Sequence, residues 1–339
     1  MTHTATRWAL MLLLAGMLAV AAFYGCGDED DASDDDVGDD DAGHDDDDSL
    51  YVDESDPFGP GALTVQRLDL TQGESGAPVD LSIYHPVDTG QYALIQFQHG
   101  FLMSKNYYSG ILERLAGHGF AVVAPQMYEP GGLPIGKPTS VEEAQLSGEV
   151  AVWALANLGA LTGLDVRGDL LGLVGHSRGG KATWILLKGN QALAKAVAGL
   201  DPVDSEMPLL GETRVCDGPF GFPFPSLLIG TGLGPVPVLG QACAPEGGNH
   251  EQFHQYSASP AYHVIAADYG HLDMLDDETP GCGLPCEICE EGPERAGMRT
   301  LSAGLLVAFF RATLQGDERS YEYLTDPARI PGNVEIEWK

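Results

Sequence analysis

A serine between glycines carries the strongest chemical signal in this sequence. Residues 175–181 read Gly-His-Ser-Arg-Gly-Gly-Lys and directly follow the apolar run 169–174. A buried strand that ends in G-x-S-x-G and runs at once into a helix holds its serine on a tight, strained turn with the hydroxyl exposed. Such a turn leaves room for little more than a hydrogen at its flanking positions, which Gly175 and Gly179 occupy. The pattern therefore indicates that Ser177 is a nucleophile.

A serine nucleophile needs a histidine, and His271 is the best placed of the ten in the chain. The serine hydroxyl reacts poorly until an oriented imidazole takes its proton. In folds that carry G-x-S-x-G on such a turn, the chain order is serine, acid, histidine. His271 lies just after the apolar run 261–267, in a late loop. His250 and His254 also follow the serine, but their polar surroundings favour a binding or surface role.

Two aspartates are candidates for the acid. The strand predicted at 196–200 is followed by Asp201 and Asp204, whereas the next predicted strand, 226–230, is followed by no carboxylate. Asp201 stands at the strand tip, so we favour it over Asp204. Aspartates beside proline in turns are also common without a catalytic role. The sequence therefore leaves Asp204 as an alternative.

Attack by a serine on a carbonyl carbon also needs two backbone N–H groups directed at the negative charge that develops on the carbonyl oxygen. The amide of Arg178, directly after the serine, is the first candidate. The second comes from the loop after the strand predicted at 92–97, which reads Gln-His-Gly-Phe-Leu over 98–102. The glycine frees the backbone there to turn an amide inward, and we assign this role to Phe101.

The elements that must position these residues alternate between strand and helix. Apolar runs predict strands near 92–97, 120–124, 169–174, 196–200, 226–230 and 261–267, and helical patterns cover about 107–117, 140–162, 178–190 and 296–314. This alternation predicts an α/β fold, with a mostly parallel central sheet and helices on both faces. Period-two alternation predicts antiparallel edge strands at 63–70 and 79–84.

The N-terminal 25 residues predict export. Arg7 precedes an apolar run over 8–24 that is too short and too weakly flanked to predict a membrane span, and Gly25 and Cys26 follow it. We expect a signal peptide over 1–25 and a lipidated Cys26 that attaches the protein to a membrane of the bacterial cell envelope by acyl chains. Plain secretion or an uncleaved anchor is the alternative.

Residues 26–60 predict a disordered acidic linker ahead of a catalytic domain over 61–339. The stretch 28–56 holds 17 acidic side chains and no lysine or arginine, within a chain of net charge −33. Like charges that bury no apolar surface keep such a segment extended. This aspartate run lacks the spacing of a calcium-binding loop. The acidic balance also argues against a nucleic-acid partner.

Five cysteines remain after Cys26, and an envelope compartment favours disulfides. Their odd number leaves one thiol free or paired elsewhere. We expect a local bridge within 282–289 and a second bridge between Cys216 and Cys243. An iron–sulfur site is the less favoured interpretation of the C-x3-C-x2-C spacing from Cys282 to Cys289.

Several stretches of the chain resemble those of chlorophyllases, and they occur in that family's order. They are Phe97-Gln-His-Gly100, 118–126 (HGFAVVAPQ), 175–181 (GHSRGGK), 200–204 (LDPVD), 243–250 (CAPEGGNH) and 268–276 (DYGHLDMLD). The resemblance covers about residues 90–312. It implies an α/β-hydrolase that cleaves the phytyl ester of chlorophyll without a metal or organic cofactor. It also implies a catalytic triad of Ser177, Asp201 and His271.

The reaction follows from this resemblance more directly than the substrate does. Plant chlorophyllases are not lipoproteins with an acidic linker, and similar signatures occur in lipases, polyester hydrolases and platelet-activating-factor acetylhydrolases. We predict a serine carboxylic-ester hydrolase that acts on small lipophilic esters through an acyl-enzyme on Ser177. The alternatives are a general lipase, polyester or acetyl-ester hydrolase, and a catalytically silent protein that uses the same fold for binding.

Overall fold

The fold is built around one central sheet. A computed structural model describes residues 50–133, 135–206 and 211–339. The strands of these residues are β1 (Val65–Leu70), β2 (Leu81–Pro86), β3 (Gln91–Gln98), β4 (Phe120–Pro125), β5 (Asp165–His176), β6 (Ala196–Leu200), β7 (Ser226–Thr231), β8 (Ala261–Ala266) and β9 (Val334–Trp338). Their order across the sheet is β1-β2-β4-β3-β5-β6-β7-β8-β9. All pairings from β4 to β8 are parallel, while β1, β2 and β9 run antiparallel to their neighbours. The predicted, mostly parallel sheet is confirmed.

Helices cover both faces of the sheet. They are α1 (Gln72–Ser75), α2 (Ser109–Gly117), α3 (Ser140–Thr162), α4 (Arg178–Gly189), α5 (His250–Tyr256), α6 (Arg295–Leu314) and α7 (Glu322–Thr325). Helices α2 and α6 bury apolar side chains in one core, and α3, α4 and α5 bury theirs in a second core. Each core lies between helices and one face of the sheet, because strand side chains alternate between faces. The α/β fold with helices on both faces is therefore confirmed.

Three elements differ from the predictions. Strand β2 is an interior strand and not an edge strand, because it pairs with both β1 and β4 and all its residues are buried. Strand β9 was not predicted, although its sequence Val-Glu-Ile-Glu-Trp alternates with period two, and it closes the far edge of the sheet. Helix α5 occupies the stretch interpreted as polar surface. Its start is marked by a capping box between Asn249 and Gln252, a local signal that was available in the sequence.

The predicted signal peptide, Cys26 and most of the acidic linker lie outside the described residues. Residues 50–60, also assigned to the linker, make contacts with the domain. Leu50 bridges to Gln91, and the buried Asp53 lies 2.6 Å from His118 and 3.1 Å from Arg311. The compact unit that contains the sheet therefore includes residues 50–60. None of the helices in the described part of the chain is long and apolar enough to cross a bilayer.

Of the two predicted disulfides, the local one is confirmed and the other is wrong. Cys282 bonds to Cys286, as expected of a local bridge, but Cys243 bonds to Cys289 and not to Cys216. Cys216 is buried as a free thiol. It belongs to the core beneath α3, α4 and α5, whereas Cys289 contacts the opposite core. The sheet separates the two regions, and this separation cannot be inferred from cysteine spacing.

Candidate active site

Ser177 occupies the turn between β5 and α4 in the middle of the sheet. Its backbone has φ 54° and ψ −124°, a conformation that costs a non-glycine residue about 1–3 kcal/mol. The surrounding structure must therefore hold it in place. Helix α4 starts at the next residue, so its N-terminus points at the serine. This is the strained turn that the G-x-S-x-G pattern predicted.

The flanking glycines are required by close backbone contacts. A Cβ on Gly175 would lie 2.3 Å from the carbonyl oxygen of Gly179, and a Cβ on Gly179 would lie 2.4 Å from that of His99. Real Cβ atoms do not approach so closely, because the van der Waals repulsion is too strong. The role predicted for these two glycines is therefore what the structure shows.

The structure brings Ser177, His271 and Asp201 into one hydrogen-bonded row. His271 Nε2 lies 2.9 Å from Ser177 Oγ, and His271 Nδ1 lies 2.6 Å from Asp201 Oδ2. The three residues follow β5, β8 and β6, whose parallel direction places their carboxyl ends at one edge of the sheet. Such a row can move a proton from the hydroxyl to the imidazole while the carboxylate orients the ring.

The surroundings of Asp201 keep it ionised although it is fully buried. Burial raises the pKa of this carboxyl, but the hydrogen bond and charge of His271 lower it, as do His250 and the Thr231 hydroxyl. The net effect is a pKa below the ordinary value. Thr231 donates to Asp201 from both its hydroxyl, at 2.7 Å, and its backbone N–H, at 3.2 Å. Strand β7, which is followed by no carboxylate in the sequence, thus ends in Thr231, a hydrogen-bond donor to Asp201.

The other acid candidate, Asp204, faces away from this row. Its two carboxylate oxygens each accept a backbone N–H at 2.9 Å, from Val215 and Cys216. The same carboxylate lies 3.5 Å from the ammonium of Lys181, which is fully buried. Asp204 therefore anchors the loop after β6 and does not contact His271.

His250, for which the polar sequence around it favoured a binding or surface role, is a neighbour of the site. It is buried at the start of α5, and its Nε2 lies 3.8 Å from Asp201 Oδ1. Its Nδ1 lies 2.7 Å from Nε2 of His263 on β8. The only local signal was the capping box at Asn249, which predicts a helix but not which of its residues turns inward.

The two amides predicted to stabilise an oxyanion belong to segments that flank the serine. Arg178 is the first residue of α4, so its N–H has no partner within the helix. In the loop after β3, Leu102 donates its N–H to the Tyr128 hydroxyl at 3.1 Å. The Phe101 N–H makes no hydrogen bond to any described residue, and a methyl group on Gly100 would come within 3.3 Å of Ser177 Cβ. Neither predicted amide is thus engaged by another described residue, and their role in stabilising an oxyanion stays a prediction.

The Arg178 side chain contacts residues from three different segments near the serine. Its Nε lies 2.9 Å from Glu143, its Nη2 lies 3.0 Å from Glu212, and the guanidinium stands 4.4 Å above the Phe101 ring. Only 5% of this residue is exposed. Its charge is therefore paired with protein carboxylates, and its guanidinium packs against the Phe101 ring.

A buried hydrogen-bond chain connects the loop of Phe101 to the loop of His271. The Gly100 N–H donates to the Tyr108 hydroxyl at 3.0 Å, and this hydroxyl donates to His176 Nδ1 at 2.7 Å. His176 Nε2 then donates to the carbonyl oxygen of His271 at 3.0 Å. Burial lowers the pKa of His176 to about 3, so this ring stays neutral and keeps both bonds. Neither Tyr108 nor His176 was predicted to belong to the site, because their contacts link loops that are distant along the chain.

Comparison with known proteins identifies the same group that the motifs resemble. The family profile described as chlorophyllase matches residues 54–337. Chlorophyllase-2 of Arabidopsis thaliana is 34% identical over 281 residues, which cover 77% of this chain and 85% of the relative. Chlorophyllase-1, chloroplastic, of Citrus unshiu is 36% identical over 289 residues, or 81% and 85% of the two chains. Chlorophyllase type 0 of Chenopodium album is 32% identical over 307 residues, or 84% and 86%.

Proposed function

The chain belongs to the chlorophyllase family, and from this premise we propose that it is a serine carboxylic-ester hydrolase that acts on lipophilic esters. Membership supports an ester hydrolase of the α/β-hydrolase type. The observation that carries the mechanism is the row from Ser177 Oγ to His271 at 2.9 Å and from His271 to Asp201 at 2.6 Å. Both distances lie within the range that proton transfer between such groups requires.

The first half of the reaction forms an acyl-enzyme. Ser177 Oγ attacks the ester carbonyl carbon while His271 Nε2 takes the hydroxyl proton, and Asp201 stabilises the imidazolium through Nδ1. The carbonyl oxygen becomes an oxyanion, which the N–H groups of Phe101 and Arg178 stabilise. The bond from the carbonyl carbon to the alcohol oxygen then breaks, and His271 gives its proton to the departing alcohol.

The second half releases the acid. A water molecule takes the place of the alcohol, and His271 Nε2 removes one of its protons as its oxygen attacks the acyl carbon. The bond to Ser177 Oγ breaks, and the proton on His271 returns to that oxygen. One ester and one water become one acid and one alcohol, and the residues return to their starting states.

Three exposed apolar side chains support a lipophilic substrate. Leu133 and Ile135, in the loop after β4, are 74% and 78% exposed, and Leu239, in the loop after β7, is 90% exposed. Both loops follow the carboxyl ends of parallel strands, the edge at which Ser177 lies. Large apolar side chains at the entrance to a site favour contact with long-chain or ring substrates. The names of the relatives point to chlorophyll as one such ester.

The test combines covalent labelling with a substrate panel. An organophosphonate ester probe is expected to label the wild-type protein at Ser177 and to leave Ser177→Ala unlabelled. The panel contains chlorophyll, p-nitrophenyl esters of increasing acyl length, a phospholipid and a polyester film. Turnover of longer or ring esters, lost in Ser177→Ala, supports the proposal. A folded wild-type protein that shows neither labelling nor turnover would refute hydrolysis and favour a silent binding protein.

The proposal extends to location. We infer that residues 1–25 direct export, and that lipidation of Cys26 attaches the protein to an envelope membrane.

A further inference from the structure

Two histidines and a glutamate meet where β8, β9 and α5 come together, outside the row of Ser177, His271 and Asp201. His254 belongs to α5, His263 to β8 and Glu337 to β9. One metal-binding atom from each of the three lies within 4.8 Å of the others. No step of the proposed hydrolysis uses these residues.

The sheet and the helix both contribute to this convergence. His263 and Glu337 stand directly opposite each other in the antiparallel pairing of β8 with β9, so their side chains share one face. His254 reaches the same face from α5, and the two imidazole rings lie 4.7 Å apart between centroids. Glu337 Oε2 is 3.5 Å from Nδ1 of His263 and 3.6 Å from Nδ1 of His254. A tetrahedral Zn²⁺ with bonds of about 2.0–2.1 Å sets its ligand atoms roughly 3.4 Å apart.

The bonding of His263 favours a cation. This side chain is 2% exposed, its Nε2 lies 2.7 Å from Nδ1 of His250, and its own Nδ1 has no hydrogen-bond partner among the described residues. If His263 donates to His250, Nδ1 presents a buried lone pair without a donor. If His250 donates instead, Nδ1 carries a buried proton that makes no hydrogen bond, since the Glu337 carboxylate oxygen is 3.5 Å away, and an unsatisfied buried donor is costly. A metal ion at Nδ1 satisfies the first arrangement, with the other ring nitrogen oriented as in known metal sites.

The two remaining ligands leave a path for an ion. The His254 side chain is 12% exposed and that of Glu337 is 69% exposed, so the site opens to solvent on the side of β9. The nearest cation is Lys339, whose ammonium is held 2.7 Å from the His254 carbonyl oxygen. The positive charge of Lys339 disfavours a bound cation, and the negative charge of the Glu337 carboxylate offsets this repulsion.

We propose that His254, His263 and Glu337 bind a Zn²⁺ ion, with a water molecule as the fourth ligand. Two imidazole nitrogens and one carboxylate oxygen suit Zn²⁺, whereas Ca²⁺ and Mg²⁺ prefer oxygen ligands throughout. The ion joins the edge strand β9 and the helix α5 to β8, so it acts as a structural clamp on this edge of the sheet.

The experiment titrates Zn²⁺ into the full-length chain by calorimetry, using wild type, Glu337→Gln, His254→Gln and Glu335→Gln. Glu335 is the matched control, because it is an exposed carboxylate on the same strand and, two residues away, on the same face. The acidic stretch 28–56 is common to all four proteins, so weak binding there cancels in the comparison. Wild type and Glu335→Gln are expected to bind one ion alike, and the other two variants to bind it about tenfold or more weakly.

A second measurement identifies the ligands. Cu²⁺ bound to wild type is expected to show nitrogen hyperfine splitting from two imidazoles in its electron paramagnetic resonance spectrum, reduced to one in His254→Gln. Circular dichroism without metal checks that each variant is folded. Equal Zn²⁺ affinity in all four proteins, or an equal loss in Glu335→Gln and Glu337→Gln, would overturn the proposal. So would a copper spectrum without nitrogen splitting.

Discussion

Acidification from pH 7 to pH 5 is expected to destabilise this fold through two buried histidines beside the site. His99 is 1% exposed and His176 is fully buried. Each ring donates from one nitrogen and accepts at the other. His176 Nδ1 accepts from Tyr108, and His99 Nε2 accepts from the Met127 N–H at 3.0 Å. A proton added to either accepting nitrogen would face a donor and lie far from water.

The structure sets the direction and the size of this effect. Burial lowers the pKa of His176 to about 3 and that of His99 to about 4, while an unfolded histidine titrates near about 6.5. Below about pH 6.5 the unfolded state therefore binds protons that the folded state does not bind. Below about pH 6.5, each histidine lowers the free energy of unfolding by about 1.4 kcal/mol per pH unit. At pH 5 this amounts to about 2 kcal/mol for each histidine and about 4 kcal/mol for the pair. Asp201 adds nothing in this range, because its lowered pKa makes its contribution fall only below about pH 4.

The assay is urea unfolding at pH 7, 6 and 5 for wild type, His176→Gln and His99→Gln. Glutamine keeps a donor and an acceptor but does not titrate in this range. Between pH 7 and pH 5, the free energy of unfolding of each variant is expected to fall by about 2 kcal/mol less than that of wild type, whatever its value at pH 7. The many surface carboxylates contribute equally to all three proteins and cancel. Equal losses in all three would refute the reasoning, as would a His176 ring that titrates near pH 6.5 in the folded protein by nuclear magnetic resonance.

Three further predictions concern the site and the N-terminus. Asp201→Asn is expected to lower kcat for a p-nitrophenyl ester by about 10⁴-fold with the fold intact, since an amide can hold His271 in the wrong tautomer; an unchanged kcat would contradict the role of the acid. Gly179→Ala is expected to lower the free energy of unfolding by about 1–3 kcal/mol and to reduce activity, because its Cβ would meet the His99 carbonyl; urea unfolding and esterase assays measure both, and an unchanged stability would count against the close contact. Cys26→Ser is expected to move the exported protein from the membrane fraction to the soluble fraction and to abolish fatty-acid labelling; a variant that stays membrane-bound would refute the lipid anchor.

Local sequence was sufficient for the elements that carry the site. The strand before Ser177 and the helix after it were predicted because their apolar periodicity and the flanking glycines act over a few residues. The same holds for α3, whose predicted span of 140–162 is the span in the structure, from its N-terminal capping box to a C-terminal glycine with positive φ. Strand β9 and helix α5 were missed although each carried a local signal, because short elements bury too little surface for such a signal to stand out.

Contacts between distant segments were not accessible in the same way. The position of His250 beside Asp201 depends on how α5 packs against β7. The pairing of Cys243 with Cys289 depends on which loops lie on the same side of the sheet. Neither property has a signature in residue spacing, since loops of very different length can close the same distance at a similar entropic cost.

Neighbours along the chain were enough to predict the nucleophile candidate, the order of serine, acid and histidine, and the alternation of strands and helices. The choice between two aspartates three residues apart depends instead on tertiary contacts. Asp201 turns toward His271 from the tip of β6, while Asp204 is held by the amides of Val215 and Cys216. That choice depends on which partners the folded sheet brings to each carboxylate, and those partners come from segments that meet only when the strands are assembled.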